Sequence, residues 1–401
     1  MTEILSFGCR LNALEGEAIR AHLTGMAETI VVNTCAVTAE AERQARQAIR
    51  RAAREHPGVP ITVTGCAAQI APARWASLPG VTRILGNAEK LSTDAWRSDA
   101  PVLVGDIMTG RIPASPITEF AGRTRAFLQI QQGCDHRCTF CTIPLGRGNS
   151  RSVEPDAVIA QARALIAAGH REVILTGVDL TSYGNDLADQ PRLGTLATRL
   201  LAETDLPRLR LSSVDPAELD EAFWTLLATN PRLMPSLHLS LQSGTDLLLK
   251  RMKRRHSATQ AAAVIARARA LRPDIAIGAD LIAGFPTESD DLFQETLAFV
   301  TENAIPYLHV FPYSERPDTP AARMPAIPVP VRRDRARQLR EAAARNAAAY
   351  HADFIGRAVT VLTEGDGTGR SEHGTRVRLN AAPGTLTEVR VTDADAEGLV
   401  A

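Results

Sequence analysis

An α/β architecture in three parts is predicted for this 401-residue chain by two stretches of strand-helix alternation and one late change of texture. Short apolar runs alternate with helical stretches over residues 1–115 and again over 120–354. Such alternation makes parallel sheets flanked by helices. From Ile355 the text turns to short β-like runs between glycine turns, AVTVLTE, RVRLN and TLTEVRVT. That texture predicts a small β domain over 355–401.

The first part supplies four strand candidates, EILSF (3–7), TIVVN (29–33), ITVTG (61–65) and TRILG (82–86). The segment 39–56 between the second and third has the composition and length of a helix. A small parallel sheet follows. Cys9, Cys35 and Cys66 each stand just past the end of one of the first three runs, and the carboxyl edge of an open parallel sheet is where ligands bind. The turn-rich stretch 113–125 reads as a linker.

Six further strand candidates occupy the middle part: 126–131, 172–176, 208–212, 237–241, 275–282 and 307–311, most of them separated by helical segments. Six βα units predict an incomplete (β/α)6 TIM-like barrel, whose functional loops leave the carboxyl ends of its strands. The first such loop is GCDHRCTFC. A long helix is expected over 329–354.

Composition narrows the class of function. Hydrophobic residues at 45% and charged ones at 22% describe a folded chain rather than a disordered one. Lys plus Arg equals Asp plus Glu at 45 each, so no overall positive field advertises a nucleic acid. The N-terminus lacks a basic n-region followed by an apolar core, and no stretch approaches the ~18 apolar residues of a membrane span. A cytoplasmic protein without a membrane partner is expected. There, six cysteines suit metal thiolates better than disulfides.

Cys134, Cys138 and Cys141 form C-x3-C-x2-C in one loop, enough to place three thiolates on one metal centre. Three ligands leave a position open. On a cubane 4Fe-4S cluster, that leaves one iron free to chelate the amino and carboxylate groups of S-adenosylmethionine, whose cleavage then yields a radical. A Cys3His zinc site using His136 and a redox CxxC from Cys138 and Cys141 are the alternatives. Cys9, Cys35 and Cys66 make a second three-thiolate set if their strands are neighbours; otherwise they are buried small hydrophobes.

FGCRLNALE, VNTCAVT, VTGCAAQ, GCDHRCTFCTIPLGRGNSRS, ILTGVDLTSYG, RLRLSSVDP, LHLSLQSGTDLLLKRMKRRHS and GADLIAGFPTES together resemble the radical-SAM methylthiotransferases over nearly the whole chain. QIQQGCDHRCTFCTIPLGRGNSRS and NTCAVTAEAERQARQAIRR look most like the branch that methylthiolates N6-threonylcarbamoyladenosine beside the anticodon. The resemblance implies an N-terminal methylthiotransferase domain, a radical-SAM barrel and a C-terminal TRAM-like domain that grips RNA. It implies one 4Fe-4S cluster on Cys134, Cys138 and Cys141, an auxiliary one carrying sulfur on Cys9, Cys35 and Cys66, and S-adenosylmethionine. Carbon 2 of the adenine would lose hydrogen to the radical and take the methylthio group. The partners implied are tRNA, an electron donor of flavodoxin or ferredoxin type, and a sulfur donor.

By the same resemblance Phe140 would approach the adenine of the cofactor, with Gly177, Asp179, Ser213 and Gln242 at strand ends making further contacts. Loop geometry and strand capping are the plainer roles for these four. Arg147 and Arg151 would bind the cofactor carboxylate or RNA phosphate bidentately, against a plain solvated role. No side chain is assigned as a catalytic acid, base or nucleophile. The runs 250–256 and 332–340 and the basic face of 43–54 are candidate phosphate contacts. Arg10 and Leu11 stand where Lys and Val are common in the family, and the C-terminal β domain has few aromatics for stacking bases. Other substrates open to the same chemistry are isopentenyl-type adenosine in tRNA and an aspartate of a ribosomal protein. A zinc-stabilised RNA-binding protein without catalysis is the alternative of another class.

Overall fold

The computed structural model describes residues 2–109, 117, 120 and 123–401. Most of the linker expected over 113–125 therefore lies outside the described residues. Among the described residues, no helix is long and apolar enough to cross a membrane.

Five parallel strands in sequence order form the first sheet: β1 (Glu3–Ser6), β2 (Ile30–Thr34), β3 (Ile61–Gly65), β4 (Val81–Leu85) and β5 (Val102–Leu103). Helices cover both faces, so β2 must be apolar on both: Ile30 and Val32 pack with Ile61, Val63 and Ile84, while Val31 joins Ile19, Leu85 and Trp96 behind. Helix α1 (Arg10–His22) follows β1, and helix α2 (Ala39–Glu55) follows β2. The α2 helix starts where Thr38 accepts a hydrogen bond from the Ala41 N–H at 3.1 Å, and it buries Ala45, Ile49 and Ala52. Helix α3 (Cys66–Ile70) leaves β3 directly.

The barrel begins with β6 (Arg125–Gln129), after which β7 (Gln131–Gln132) and β8 (Arg151–Ser152) pair antiparallel across the base of the cysteine loop. The remaining strands are β9 (Glu172–Thr176), β10 (Arg208–Leu211), β11 (Ser236–Gln242), β12 (Ala276–Ala283) and β13 (Tyr307–Pro312). They make two parallel three-stranded halves, joined by a parallel bridge between Val214 and Leu239. Along β11, Leu237, Leu239 and Leu241 are buried in the core under the helices. Strand alternation turns His238, Ser240 and Gln242 toward the opposite, lumenal face. A helix over Val329–Ala352 packs Ala336, Leu339 and Ala342 into the same core.

The C-terminal domain is one six-stranded sheet of β14 (Ala358–Thr363), β15 (Thr368–Ser371), β16 (Arg376–Arg378), β17 (Leu386–Arg390), β18 (Asp393–Asp395) and β19 (Gly398–Val400). It seats on the amino-terminal ends of the barrel strands. Arg125 pairs with Glu364 at 2.8 Å, Arg210 donates to the Glu372 carbonyl at 2.9 Å, and the Tyr307 hydroxyl meets Thr375 at 2.6 Å. The opposite end of the barrel stays free for the cysteine loop.

Candidate functional site

Three turns carry the first cysteine set to one edge. Cys9 is the N-cap of α1, Cys35 follows β2, and Cys66 opens α3. Gly8 has φ +90°, and a Cβ there would lie 2.4 Å from both Cβ and Sγ of Cys35. Only glycine lets the turn before Cys9 come this close to Cys35. Gly65, at φ +95°, plays the same part beside Cys66, because a Cβ would strike the Thr34 carbonyl at 2.3 Å.

The thiols of this set feel one another. Burial, then the neighbouring charges of Cys66 and Cys9, push the Cys35 thiol up to about 12. The Val37 N–H, which points to Cys35 Sγ at 3.4 Å, offsets part of this, and Asn87 Nδ2 donates to Cys66 Sγ at 3.5 Å.

Cys134, Cys138 and Cys141 lie in the loop that leaves β7, and all six cysteines are free thiols. Burial raises both Cys134 and Cys141 to about 12; Asp179 adds to the first, Cys138 and Cys66 to the second. The influence of Cys66 on Cys141 places the two sets within electrostatic reach of each other. Arg254 Nη1 stands 3.6 Å from Cys138 Sγ, while its Nη2 pairs with Asp215 at 2.8 Å. The Ile143 N–H donates to Cys141 Sγ at 3.4 Å.

A cavity of about 530 Å³ opens between the first sheet and the barrel, lined among others by Cys9, Arg10, Cys35, Gly177, Ser213 and Asp280. A neighbouring one of about 260 Å³ is lined by Phe140 and Gln242 and shares Val37, Thr38, Asp280 and Phe311 with it. The structure thus brings five of the six expected cofactor contacts, Phe140, Arg147, Gly177, Ser213 and Gln242, to the walls of these two adjoining cavities. Gln242 sits at φ +74°, an unfavourable backbone for a residue other than glycine, at the end of β11.

Asp179 lies apart from these. It is buried, with Oδ2 2.8 Å from His136 Nε2 and 2.6 Å from the Ser182 hydroxyl. Burial pushes its pKa up, but the hydrogen bonds from His136 and Ser182 win and hold the carboxyl below its ordinary value. Cys134, His136 and Asp179 present ligand atoms close enough for one metal ion, a set other than the three cysteines with His136 that the zinc alternative needs.

Arg147 needs correction. It is not an exposed arginine awaiting a carboxylate or phosphate: it is 1% exposed, and its terminal nitrogens are taken by Glu15 at 2.8 and 2.9 Å and by Asn12 at 2.7 Å. Lys90 Nζ completes this buried group at 2.7 Å from Glu15. Within the two basic runs only some arginines turn inward, while Lys250, Lys253, Arg333 and Arg340 stay exposed. Arg332 and Arg335 are buried and tied to Glu315 at 3.0 Å and Glu288 at 2.6 Å, and Arg254 turns inward to Asp215. On the face of α2, Arg50, Arg51 and Arg54 are exposed around a concavity with Gln44, Gln47 and Phe7.

The Radical SAM superfamily profile matches residues 128–300, and that of uncharacterized protein family UPF0004 matches residues 2–86. The threonylcarbamoyladenosine tRNA methylthiotransferase MtaB of Rickettsia prowazekii (strain Madrid E) is 44% identical over 94% of this chain and 91% of its own. This chain belongs to the radical-SAM methylthiotransferase family. The MtaB of Bacillus subtilis (strain 168) is 37% identical over 80% of this methylthiotransferase and 74% of its own length. A tRNA-2-methylthio-N(6)-dimethylallyladenosine synthase of Novosphingobium aromaticivorans is 34% identical over 90% and 86%. Among solved structures, the radical S-adenosylmethionine methyltransferase TsrM from Kitasatospora setae matches with a TM-score of 0.54 at 15% identity, over 76% of this chain and 66% of that one. At that identity, the likeness speaks for the fold.

Some side chains at the site of this methylthiotransferase escape the sequence. Arg254 reads as one more arginine in a basic run, and the His238–Asp280–His309 group, with Asp280 Oδ1 3.1 Å from each imidazole, is spread over three strands. Loss of the Arg254 charge and of its N–H to Cys138 should make a cluster on that thiolate harder to reduce. For Arg254→Met the expected drop is on the order of 60 mV, one tenfold step for a one-electron couple, read by potentiometric titration.

Proposed function

We propose that this methylthiotransferase adds a methylthio group to carbon 2 of N6-threonylcarbamoyladenosine in tRNA, with S-adenosylmethionine as methyl and radical source. The observation that carries the reading is a cavity lined by Cys9 and Cys35 of the first set that adjoins one lined by Phe140 of the second set's loop, with Cys66 within electrostatic reach of Cys141. The names of the relatives supply the substrate.

The donor sets suit iron-sulfur clusters. Buried thiols raised to about 12 are poor free thiolates, and bound metal supplies the positive charge that would ionise them. Cys134, Cys138 and Cys141 would hold one 4Fe-4S cluster, and Cys9, Cys35 and Cys66 the other. When bound, these groups supply a one-electron reductant for S-adenosylmethionine and a site for the transferable sulfur.

The chain's own residues do the rest. N–H donors from Arg254, Val37, Ile143 and Asn87 steady the sulfurs. Leu11, Val37, Ile143 and Phe311 line the cavity with apolar surface and keep water from the reacting carbon. Phe140, Gly177, Ser213 and Gln242 are proposed to receive S-adenosylmethionine, with Asp179, held by His136 and Ser182, beside the second cysteine set. The domain limits proposed are 1–115, 120–354 and 355–401. An electron donor of flavodoxin or ferredoxin type, a sulfur donor and a cytoplasmic location belong to the same proposal.

The C-terminal sheet and the cavity lie at opposite ends of the barrel, so tRNA held by both must run along its side. Arg50 and Arg54 of α2 have no ion-pair partner among the described residues and are proposed to meet its phosphates. Arg50→Ala with Arg54→Ala should weaken binding to every RNA alike and reduce the salt slope by about 2 in filter binding.

The reaction itself is tested by incubating the reconstituted enzyme with anticodon stem-loops carrying either modified adenosine and digesting the RNA for mass spectrometry. The methylthio derivative of threonylcarbamoyladenosine supports the proposal. Product from the dimethylallyl RNA alone moves the substrate to that branch, and zinc in place of iron with no product removes the catalytic reading.

A further inference from the structure

Three charged side chains besides the cysteines line the larger cavity: Arg10, Arg147 and Asp280. Two of them are already engaged. Arg147 is held by Glu15 and Asn12, and Asp280 lies 3.1 Å from both His238 and His309. Arg10 has neither a hydrogen bond nor an ion pair among the described residues. Its side chain is exposed to the cavity, enclosed enough that burial, and then Arg125, lower its pKa.

The position of Arg10 makes this more telling. It is the first residue of α1, a helix with no acidic residue in its first turn. A cation there sits at the positive end of the helix dipole, an unfavourable place for it. Asp280 offsets part of this from a distance, without a hydrogen bond or ion pair to Arg10, and an anion arriving from the cavity would supply the direct partner. The cavity volume, about 530 Å³, is ample for a modified nucleoside.

We propose that Arg10 selects the substrate by pairing with the carboxylate of its threonylcarbamoyl group. This rests on the proposed function and deepens it. Threonylcarbamoyladenosine carries a carboxylate on its N6 substituent, whereas the dimethylallyl group is neutral and apolar. A guanidinium fork fits a carboxylate with two parallel N–H···O bonds and offers nothing to an alkene. Cys9, one residue away, lines the same cavity, so the anchored base stays beside the first cysteine set.

The test compares binding of three anticodon stem-loops, carrying threonylcarbamoyladenosine, its methyl ester or dimethylallyladenosine, to the reconstituted wild-type enzyme, Arg10→Gln and Arg10→Lys. Wild type should bind the acid about ten-fold or more tighter than the ester or the dimethylallyl RNA. Arg10→Gln, with its iron content intact, should lose that preference and Arg10→Lys keep part of it. A wild-type enzyme that binds ester and acid equally overturns the proposal, whatever the variants do. So does Arg10→Gln with full iron and an undiminished preference for the acid. Failure of the substrate reading looks different: wild type then leaves the threonylcarbamoyl RNA unmodified.

Discussion

Cys35→Ala protein reconstituted with iron and sulfide should hold about four irons per chain where the wild type holds about eight, and should form no methylthiolated nucleoside. Cys134→Ala should show the same halving with a different residual spectrum, because the surviving cluster sits in the other set. The expectation follows from separation: the first set hangs on the turns after β1, β2 and β3, the second on the loop after β7, so neither supplies a ligand to the other. Loss of one thiolate from a three-thiolate site leaves two, too few for a cubane. Cleavage of S-adenosylmethionine should survive in Cys35→Ala and vanish in Cys134→Ala, which separates the two roles. Eight irons in Cys35→Ala would remove the auxiliary site and leave a simpler radical enzyme.

How much of this was legible depends on how far apart the cooperating residues lie. C-x3-C-x2-C is local, so spacing alone exposes it. The Cys9, Cys35, Cys66 set became visible once the strand rhythm placed each cysteine at a strand end, and β1, β2 and β3 do run side by side in parallel. β5 spans two residues and β18 and β19 three each, too short to show a period of two. Arg147 was misread because its partner Glu15 lies 132 residues earlier, and no local pattern announces a buried pair. Arg332 and Arg335 failed for a related reason: in a charged run, composition does not say which arginines turn inward. Arg10 carried a sequence signal as a departure beside a cysteine, but its lack of a partner is a fact of three dimensions.

Glu15→Gln should destabilise the protein by ~3–5 kcal/mol, because it strands two buried cations without their anion. Glu15 is fully buried between Arg147 at 2.8 Å and Lys90 at 2.7 Å. Burial pushes its carboxyl up, but the charges of Arg147 and Lys90 overcome this and hold it at about 2, below its ordinary 4.5. A depressed carboxylate stabilises the fold fully above its unfolded value, loses that contribution as pH falls from 4.5 toward about 2, and contributes none below. The wild type should therefore weaken through this acid window, and Glu15→Gln should lack that share of the weakening, as melting curves at several pH values would show. The group carries one anion and two cations, and the surplus positive charge lies within electrostatic reach of Cys66 and Cys9. After burial, Cys66 and Glu15 are the largest influences on Arg147, and they raise its pKa well above the ordinary value. Arg147→Met should accordingly lose iron from the first set while the second keeps its own. Glu15→Gln, which retains both cations, should be less stable yet keep that iron. Equal iron loss in the two variants would mean that the group only cements the sheet to the barrel, with no electrostatic share in holding the cluster.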